Sequence, residues 1–224
     1  MPPPSLLGSA ARRARKSPVG PLVVQARSKA PSFRTTVSGR PIVWEDPERG
    51  DLSSARAGAL AARGRAAERA LYGRGSWRRH LDERAAVDFA LVSELFKNED
   101  GFHASTFMAL RDGRLHLGPV WDYDISMGNS DYGPSSRLEG WMLARRDWAE
   151  RLYRDRRFAQ RLAARWRQLR RAGLRRHVLA ETTRAQRELR GSIVARGSHT
   201  AEVRHLRGWL KRRIGWIDRN VARL

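Results

Sequence analysis

The chain has 224 residues, of which 41% are hydrophobic, so it can bury a core and is not disordered throughout. Its 45 Lys and Arg residues outnumber its 23 Asp and Glu residues, and the formal net charge of +22 predicts nonspecific attraction of polyanions. The chain has no cysteine, which excludes disulfides and thiolate metal sites, and it has no apolar run near the ~20 residues that cross a membrane.

The first 31 residues are rich in proline and predict a poorly ordered lead-in to a domain that spans residues 32–224. A basic run over residues 12–16 follows the short apolar start of the chain, whereas a secretory signal has the opposite order. We therefore expect a cytoplasmic location.

Phe33–Val43 contains β-forming residues on both sides of Ser38-Gly39 and predicts a short hairpin. The Ala- and Arg-rich segment that follows predicts a helix over Ser54–Leu71. A serine before this segment can accept hydrogen bonds from the free N–H groups of the first turn, and Gly73 and Gly75 end the helix.

A helix over Leu81–Lys97 is predicted by apolar residues that recur on one face, namely Val87, Ala90, Leu91 and Leu95. Two apolar-rich runs then flank Asp112-Gly113, which is a strong local signal for a β-hairpin. We predict its strands at Ser105–Leu110 and Leu115–Trp121 and interpret Trp121 as a core residue.

The last third of the chain predicts amphipathic helices over Trp148–Leu169, over Leu174–Ile193 and at the C-terminus. The last helix carries an apolar stripe at spacings of three and four, formed by Val203, Leu206, Leu210, Ile214, Ile217, Val221 and Leu224. The predicted fold is therefore α+β and mostly helical, with a central β-hairpin within residues 32–140 and a helical bundle over residues 141–224.

Acidic residues stand in a pattern around the central hairpin. Asp100 follows the helix, whereas Asp122 and Asp124 come at the end of the apolar run Leu115–Trp121. A carboxylate at such a position needs a partner, and a hard cation such as Mg²⁺ or Mn²⁺ suits oxygen ligands.

Simpler interpretations stay open for each of these residues. Asp122 and Asp124 could pair with nearby arginines, and Asp100 could be a turn residue before Gly101. His103 and His116 flank the acidic residues, but neither has ligand spacing to another histidine, so we interpret both as ordinary strand or loop residues.

Several short motifs together carry a family resemblance over roughly residues 32–224. They are Leu95–Gly101 (LFKNEDG), Ser105-Thr106, Gly113, Gly118–Asp124 (GPVWDYD), Gly128-Asn129, Trp209–Ile214 with Trp216-Ile217, and the early pattern of Phe33, Thr35, Gly39 and Pro41. With these motifs the chain resembles the spore coat protein H family, the CotH-type atypical protein kinases.

The resemblance implies a kinase-like C-terminal lobe that uses ATP and Mg²⁺. Asp100 matches the catalytic base, Asp122 matches the ligand that holds the metal against the nucleotide phosphates, and Asp124 matches a further metal ligand. Ser105 occupies the cofactor-binding position at which many kinases have a metal-binding Asn. The implied partner is an acidic or Ser/Thr-containing protein substrate, and the resemblance adds a cell-surface or spore-coat location as an alternative.

The family also carries an N-terminal lobe with a basic loop over the phosphates and a nucleotide-binding Lys. This chain starts close to where that lobe should end, so we expect slow turnover or none from the chain alone. Three hypotheses follow: a protein Ser/Thr kinase domain, a non-catalytic scaffold, and a basic module that binds nucleic acid or other polyanions.

Overall fold

A computed structural model describes residues 21–24 and 31–224, except 48, 74, 103–104, 131 and 190–198. The chain packs as two compact units. One contains the described residues up to Asp82 together with Phe107–Pro119, and the other contains Glu83–Thr106 and Val120–Leu224. The fold is α+β and mostly helical, as predicted.

The first unit is built on a five-stranded sheet with the strand order β2-β3-β1-β4-β5. The strands are β1 Pro21–Val24, β2 Phe33–Arg34, β3 Pro41–Trp44, β4 Thr106–Arg111 and β5 Arg114–Leu117. Strand β1 pairs antiparallel with β3 although it lies in the stretch 1–31 for which the composition predicts little order. Residues 1–20 and 25–30 of that stretch lie outside the described residues.

The predicted early hairpin is confirmed, since β2 and β3 pair antiparallel with Phe33 opposite Ile42. The carboxylate of Glu68 holds its loop by accepting from the backbone N–H groups of Val37 (2.7 Å) and Ser38 (3.1 Å). Burial opposes the charge of Glu68, but hydrogen bonds from Ser38 and its neighbours keep the pKa of this carboxyl below its ordinary value.

Glu68 lies on helix α1, Ser54–Tyr72, which has nearly the predicted bounds. Ser53 caps it by accepting from the Arg56 N–H (3.4 Å), and the N–H of Gly73 closes the last turn on the Arg69 carbonyl (2.8 Å). The Ala- and Arg-rich segment, with a serine before it and a glycine after it, therefore predicts both the helix and its ends.

The central hairpin forms around the predicted turn, where Asp112 and Gly113 both have positive φ, at 49° and 76°. Its second strand is shorter than predicted and ends at Leu117. Gly118 has a φ of 114° and Pro119 lacks an N–H group to extend the ladder. The interpretation of Trp121 as a core residue is wrong, because it lies beyond the strand and is 62% exposed.

The second unit is helical. Its helices are α2 Glu83–Phe96, α3 Asp147–Tyr153, α4 Arg156–Arg171, α5 Leu174–Glu188 and α6 His199–Asn220. The predicted single helix Trp148–Leu169 is divided into α3 and α4 because Asp155 accepts from the N–H groups of Arg157 (2.9 Å) and Phe158 (3.1 Å), which starts a new helix. Residues 190–193 of the helix predicted over Leu174–Ile193 lie outside the described residues.

Helix α2 packs against α4 and α6, and α5 packs against α6. The predicted face of α2 is buried, as is Val221 just after α6. Buried residues of the other helices are Trp148, Leu152, Phe158, Leu162, Trp166, Leu210, Ile214 and Ile217. The apolar stripe of α6 is thus a packing surface over its second half. Within the described part of the chain, none of the helices combines the length and apolar character that crossing a bilayer requires.

Candidate functional site

Three of the predicted site residues converge in the second unit. Carboxylate oxygens of Asp100, Asp122 and Asp124 lie within 4.8 Å of one another, with Asp100 partly buried and the other two exposed. They are the only such group among the residues that the structure describes. We call these three residues the carboxylate cluster.

Backbone hydrogen bonds hold together the two segments that carry the cluster. The N–H of Met127 donates to the carbonyl of Phe96 (2.7 Å), and the N–H of Glu99 donates to the carbonyl of Ile125 (3.2 Å). The segment after α2 and the segment after Pro119 are therefore tied directly to each other. This contact, more than the hairpin between them in sequence, places Asp100 beside Asp122 and Asp124.

The loop around Asp100 is fixed by Asn98, a residue that is 3% exposed. Its Oδ1 accepts from the N–H of Asp100 (3.0 Å), and its carbonyl accepts from the N–H of Gly101 (3.2 Å). The amide oxygen of Asn98 is thus occupied in orienting the Asp100 backbone.

Ser105 contacts the cluster directly, because its hydroxyl donates to Oδ2 of Asp122 (2.9 Å). Both residues have left-handed backbone, with φ of 47° at Ser105 and 60° at Asp122. Such conformations cost about 1–3 kcal/mol each in residues with a side chain, and they concentrate at functional sites. All four predicted site residues are therefore brought into one place.

Asp124 is held from its C-terminal side, where Nδ2 of Asn129 donates to the Asp124 carbonyl (3.0 Å). Gly128, with φ of 77°, allows this turn to press against Trp209. A Cβ at this position would lie 2.8 Å from Nε1 of Trp209, so a larger residue would displace the turn. The tryptophan of α6 thereby supports the segment that carries Asp124.

A second anchor holds the residue before Asp100. Arg146 donates to the carbonyl of Glu99 and to its Oε1 (2.6 Å), and the N–H of Ser135 donates to its Oε2 (3.1 Å). Burial would raise the pKa of Glu99, but the hydrogen bond and charge of Arg146 hold this pKa below its ordinary value. Glu99 therefore acts as a charged anchor for the Asp100 loop.

A buried ion pair lies deeper in the same unit. The side chains of Glu94 and Arg213 are both 0% exposed and lie 3.3 Å apart. The carboxylate of Glu94 also accepts from the N–H groups of Met142 (2.7 Å) and Leu143 (2.8 Å) and from the Tyr153 hydroxyl (3.0 Å). We call Glu94, Arg213 and Tyr153 the buried ionic cluster.

Arg213 extends this cluster to the neighbouring loop. It donates to the carbonyls of Leu138 (2.7 Å) and Gly140 (2.9 Å) as well as to that of Glu94 (2.8 Å). Burial raises the pKa of Glu94 and lowers the pKa of Arg213 to about 10. The cluster joins α2, the loop before α3 and α6 through polar contacts.

The sequence pattern does not single out Glu94, Glu99, Arg146 or Arg213 as site residues. A signal existed for Arg213, since it lies three residues after Leu210 and four before Ile217 and so shares their buried face. Burial of an arginine on that face predicts an acidic partner, although the partner's position does not follow from the spacing.

The cluster chemistry fits a hard divalent cation. Mg²⁺ binds oxygen at about 2.0–2.1 Å, so its ligand oxygens lie roughly 3–4 Å apart. The oxygens of the cluster lie within 4.8 Å of one another, near enough to share one ion after small side-chain shifts. Among the described arginines, none forms an ion pair with Asp122 or Asp124, which removes the simpler interpretation of those two residues.

The two histidines do not belong to this site in the described structure. His116 lies in β5, where its Nδ1 is 3.9 Å from Asp82. His103 lies outside the described residues.

Comparison with known proteins identifies the family of the chain. Residues 75–217, more than half of the chain, match the family model described as CotH kinase protein. No significant match to a curated protein is found. The matched region contains the carboxylate cluster, the buried ionic cluster and the helices of the second unit, apart from the last three residues of α6.

Proposed function

Because the chain belongs to the CotH kinase family, we propose that it takes part in phosphoryl transfer from Mg·ATP to a hydroxyl group of a protein substrate. The observation that supports this most strongly is the convergence of Asp100, Asp122 and Asp124 within 4.8 Å, on two segments held together by backbone hydrogen bonds. Like charges at such distances repel one another, so the arrangement is best explained by a cation that they share.

Asp122 and Asp124 are the residues that would hold Mg²⁺. When bound, the ion neutralises negative charge on the phosphate oxygens during transfer. Ser105 keeps Asp122 in one orientation through its hydroxyl, which donates to Oδ2 and leaves Oδ1 available as a ligand. The hydroxyl oxygen of Ser105 also retains lone pairs for a second contact to the cofactor.

Asp100 is the candidate proton acceptor. As the substrate hydroxyl oxygen bonds to the γ-phosphorus, its proton passes to the Asp100 carboxylate, and the bond from the γ-phosphorus to the ADP oxygen breaks. Orientation of Asp100 by Asn98 and by the anchored Glu99 keeps the carboxylate beside the metal ligands. The implied acceptor is a serine or threonine of an acidic protein, which a chain with a formal charge of +22 would attract.

Phosphate transfer from γ-labelled ATP to an acidic, serine-rich acceptor protein tests the proposal. We expect Mg²⁺-dependent labelling that falls by about 10²-fold or more in both Asp100→Asn and Asp122→Asn. Asp112→Asn, in the exposed hairpin turn of the other unit, is the matched control and should retain wild-type labelling.

Equal labelling by wild type and both site variants would contradict the proposed roles. Absence of labelling together with absence of Mg²⁺-dependent ATP binding would favour a non-catalytic scaffold instead.

A further inference from the structure

A cavity of about 970 Å³ lies in the second unit and shares no lining residue with the carboxylate cluster. Its wall consists of Lys97 and residues between 133 and 146. Four basic side chains line it, from Lys97, Arg137, Arg145 and Arg146, together with the carboxylate of Glu139. This charge distribution suits an anion.

Lys97 is the most informative of these residues because it is only 2% exposed. Its ammonium group donates to the carbonyl of Glu139, which is its one hydrogen-bond acceptor among the described residues. An ammonium group carries three N–H donors, so donors remain available for a further acceptor. Buried cations are normally paired, but the carboxylates of Glu94, Glu99 and Glu139 act on Lys97 without forming a direct ion pair with it. A ligand in the cavity would supply that direct partner.

The remaining cations differ in how much charge they offer a ligand. Arg146 is neutralised by Glu99, with which it forms a 2.6 Å ion pair. Arg137 and Arg145 are exposed and form no ion pair with any described residue. Among the residues that line the cavity, the positive charges of Lys97, Arg137 and Arg145 therefore outnumber the single carboxylate of Glu139. The lining has a net positive charge.

The size of the cavity indicates that its ligand is larger than a bare inorganic anion. Pro134, Trp141 and Met142 contribute apolar wall beside the basic groups. Guanidinium groups match phosphate oxygens in geometry, and several cations favour a dianion over a single carboxylate.

We propose that this cavity is a binding site for a phosphomonoester, that is, a phosphate group carried on an organic group. The site is independent of the carboxylate cluster and does not depend on phosphoryl transfer by this chain. A phosphorylated protein side chain and a nucleoside monophosphate share this chemistry.

Titration calorimetry on the full chain, with EDTA present to remove divalent cations, tests the site. The probes are O-phosphoserine, adenosine monophosphate and inorganic phosphate. We expect saturable one-to-one binding of at least one ester, about tenfold or more tighter than inorganic phosphate. Tighter binding of phosphoserine identifies a phosphoprotein as the source, and tighter binding of the nucleotide identifies a nucleotide. Failure of both esters to saturate, or affinities equal to that of inorganic phosphate, would overturn the proposal.

Paired variants separate this site from general attraction to a basic chain. Arg137→Gln with Arg145→Gln should weaken ester binding about tenfold or more, because charge-assisted hydrogen bonds are lost. Arg175→Gln with Arg176→Gln removes the same charge beside a different cavity and should change affinity less than about twofold. Equal losses in the two double variants would contradict a specific site.

Lys97 and Asp122 provide two further tests of where the ester binds. Lys97→Met should also weaken ester binding about tenfold or more, with a thermal melt to confirm that the variant is folded. Asp122→Asn should bind the ester as the wild type does, even if phosphoryl transfer by this chain is never observed. A loss of ester binding in Asp122→Asn would place the ligand at the carboxylate cluster and overturn the proposal.

Discussion

The second unit holds two groups of acidic residues whose surroundings are opposite. In the buried ionic cluster, Glu94 is 0% exposed and accepts from two backbone N–H groups, a tyrosine and Arg213. In the carboxylate cluster, Asp122 and Asp124 are exposed and have other carboxylates as near neighbours. Glu94 lies on helix α2 itself, and Asp100 lies in the loop that follows this helix. Backbone hydrogen bonds join that loop and the end of α2 to the segment that carries Asp122 and Asp124.

The surroundings of a carboxylate indicate its role in the protein. A buried carboxylate whose oxygens are all used by protein donors positions the elements that supply those donors, here the loop before α3 and helix α6. In the carboxylate cluster the carboxylates are each other's near neighbours, and none of the described arginines forms an ion pair with Asp122 or Asp124. The first group therefore stabilises the fold, and the second is available for a cation.

Loss of Arg213 should produce the largest change in stability. Arg213→Met leaves Glu94 buried without its cation and frees the carbonyls of Leu138 and Gly140, so we expect the free energy of unfolding to fall by about 3–5 kcal/mol. Chemical denaturation measures this change. Arg165→Met, which breaks the partly exposed pair with Asp88, is the matched control and should cost about 1 kcal/mol or less. Similar losses in both variants would erase the distinction between buried and exposed pairs.

The next largest effect should come from Lys97, which makes the free energy of unfolding depend on pH. Burial, together with the charge of Arg213, lowers the pKa of Lys97 to about 8 from its ordinary 10.5. Between these values the unfolded chain binds more protons than the folded chain, so the free energy of unfolding rises with pH.

Denaturation curves at several pH values can isolate this contribution. Wild type should gain about 1–3 kcal/mol relative to Lys97→Met between pH 8 and pH 10.5, and little below pH 8. Parallel pH profiles for the two proteins would show that Lys97 is not desolvated in the folded state.

Much of the fold follows from local sequence signals. Ser53 and Gly73 mark the ends of α1, Asp112-Gly113 marks the hairpin turn, and the apolar spacing of α2 marks its buried face. These predictions hold because each depends on residues that are close together in the sequence. The break between α3 and α4 does not follow from the apolar spacing, because Asp155 is an N-cap only if its side chain turns back onto the N–H groups of Arg157 and Phe158.

The sequence predicts the acidic residues of the candidate site but not the contacts that hold them in place. Asp100, Asp122 and Asp124 stand out as patterned acids in a chain rich in arginine. The hydrogen bonds that join their segments, and the pairing of Glu94 with Arg213 across 119 residues, depend on tertiary packing that spacing alone does not reveal.

Neutralising one member of the carboxylate cluster should have the smallest effect, and it should raise the free energy of unfolding where Arg213→Met lowers it. Asp122→Asn removes repulsion between carboxylates, so in EDTA the variant should be about 0.5–1 kcal/mol more stable than wild type. Excess Mg²⁺ should stabilise the wild type and leave the variant nearly unchanged. Thermal unfolding with and without Mg²⁺ measures both effects, and Asp51→Asn, at an exposed position of the first unit, serves as the control.

The most direct test of the cation-binding role is calorimetry of ATP binding with and without Mg²⁺, on the wild type and on Asp122→Asn. The carboxylate cluster predicts ATP binding that requires Mg²⁺ in the wild type and is lost in the variant. ATP binding that is equal in both proteins, or that persists without Mg²⁺, would contradict a nucleotide-metal site at Asp100, Asp122 and Asp124.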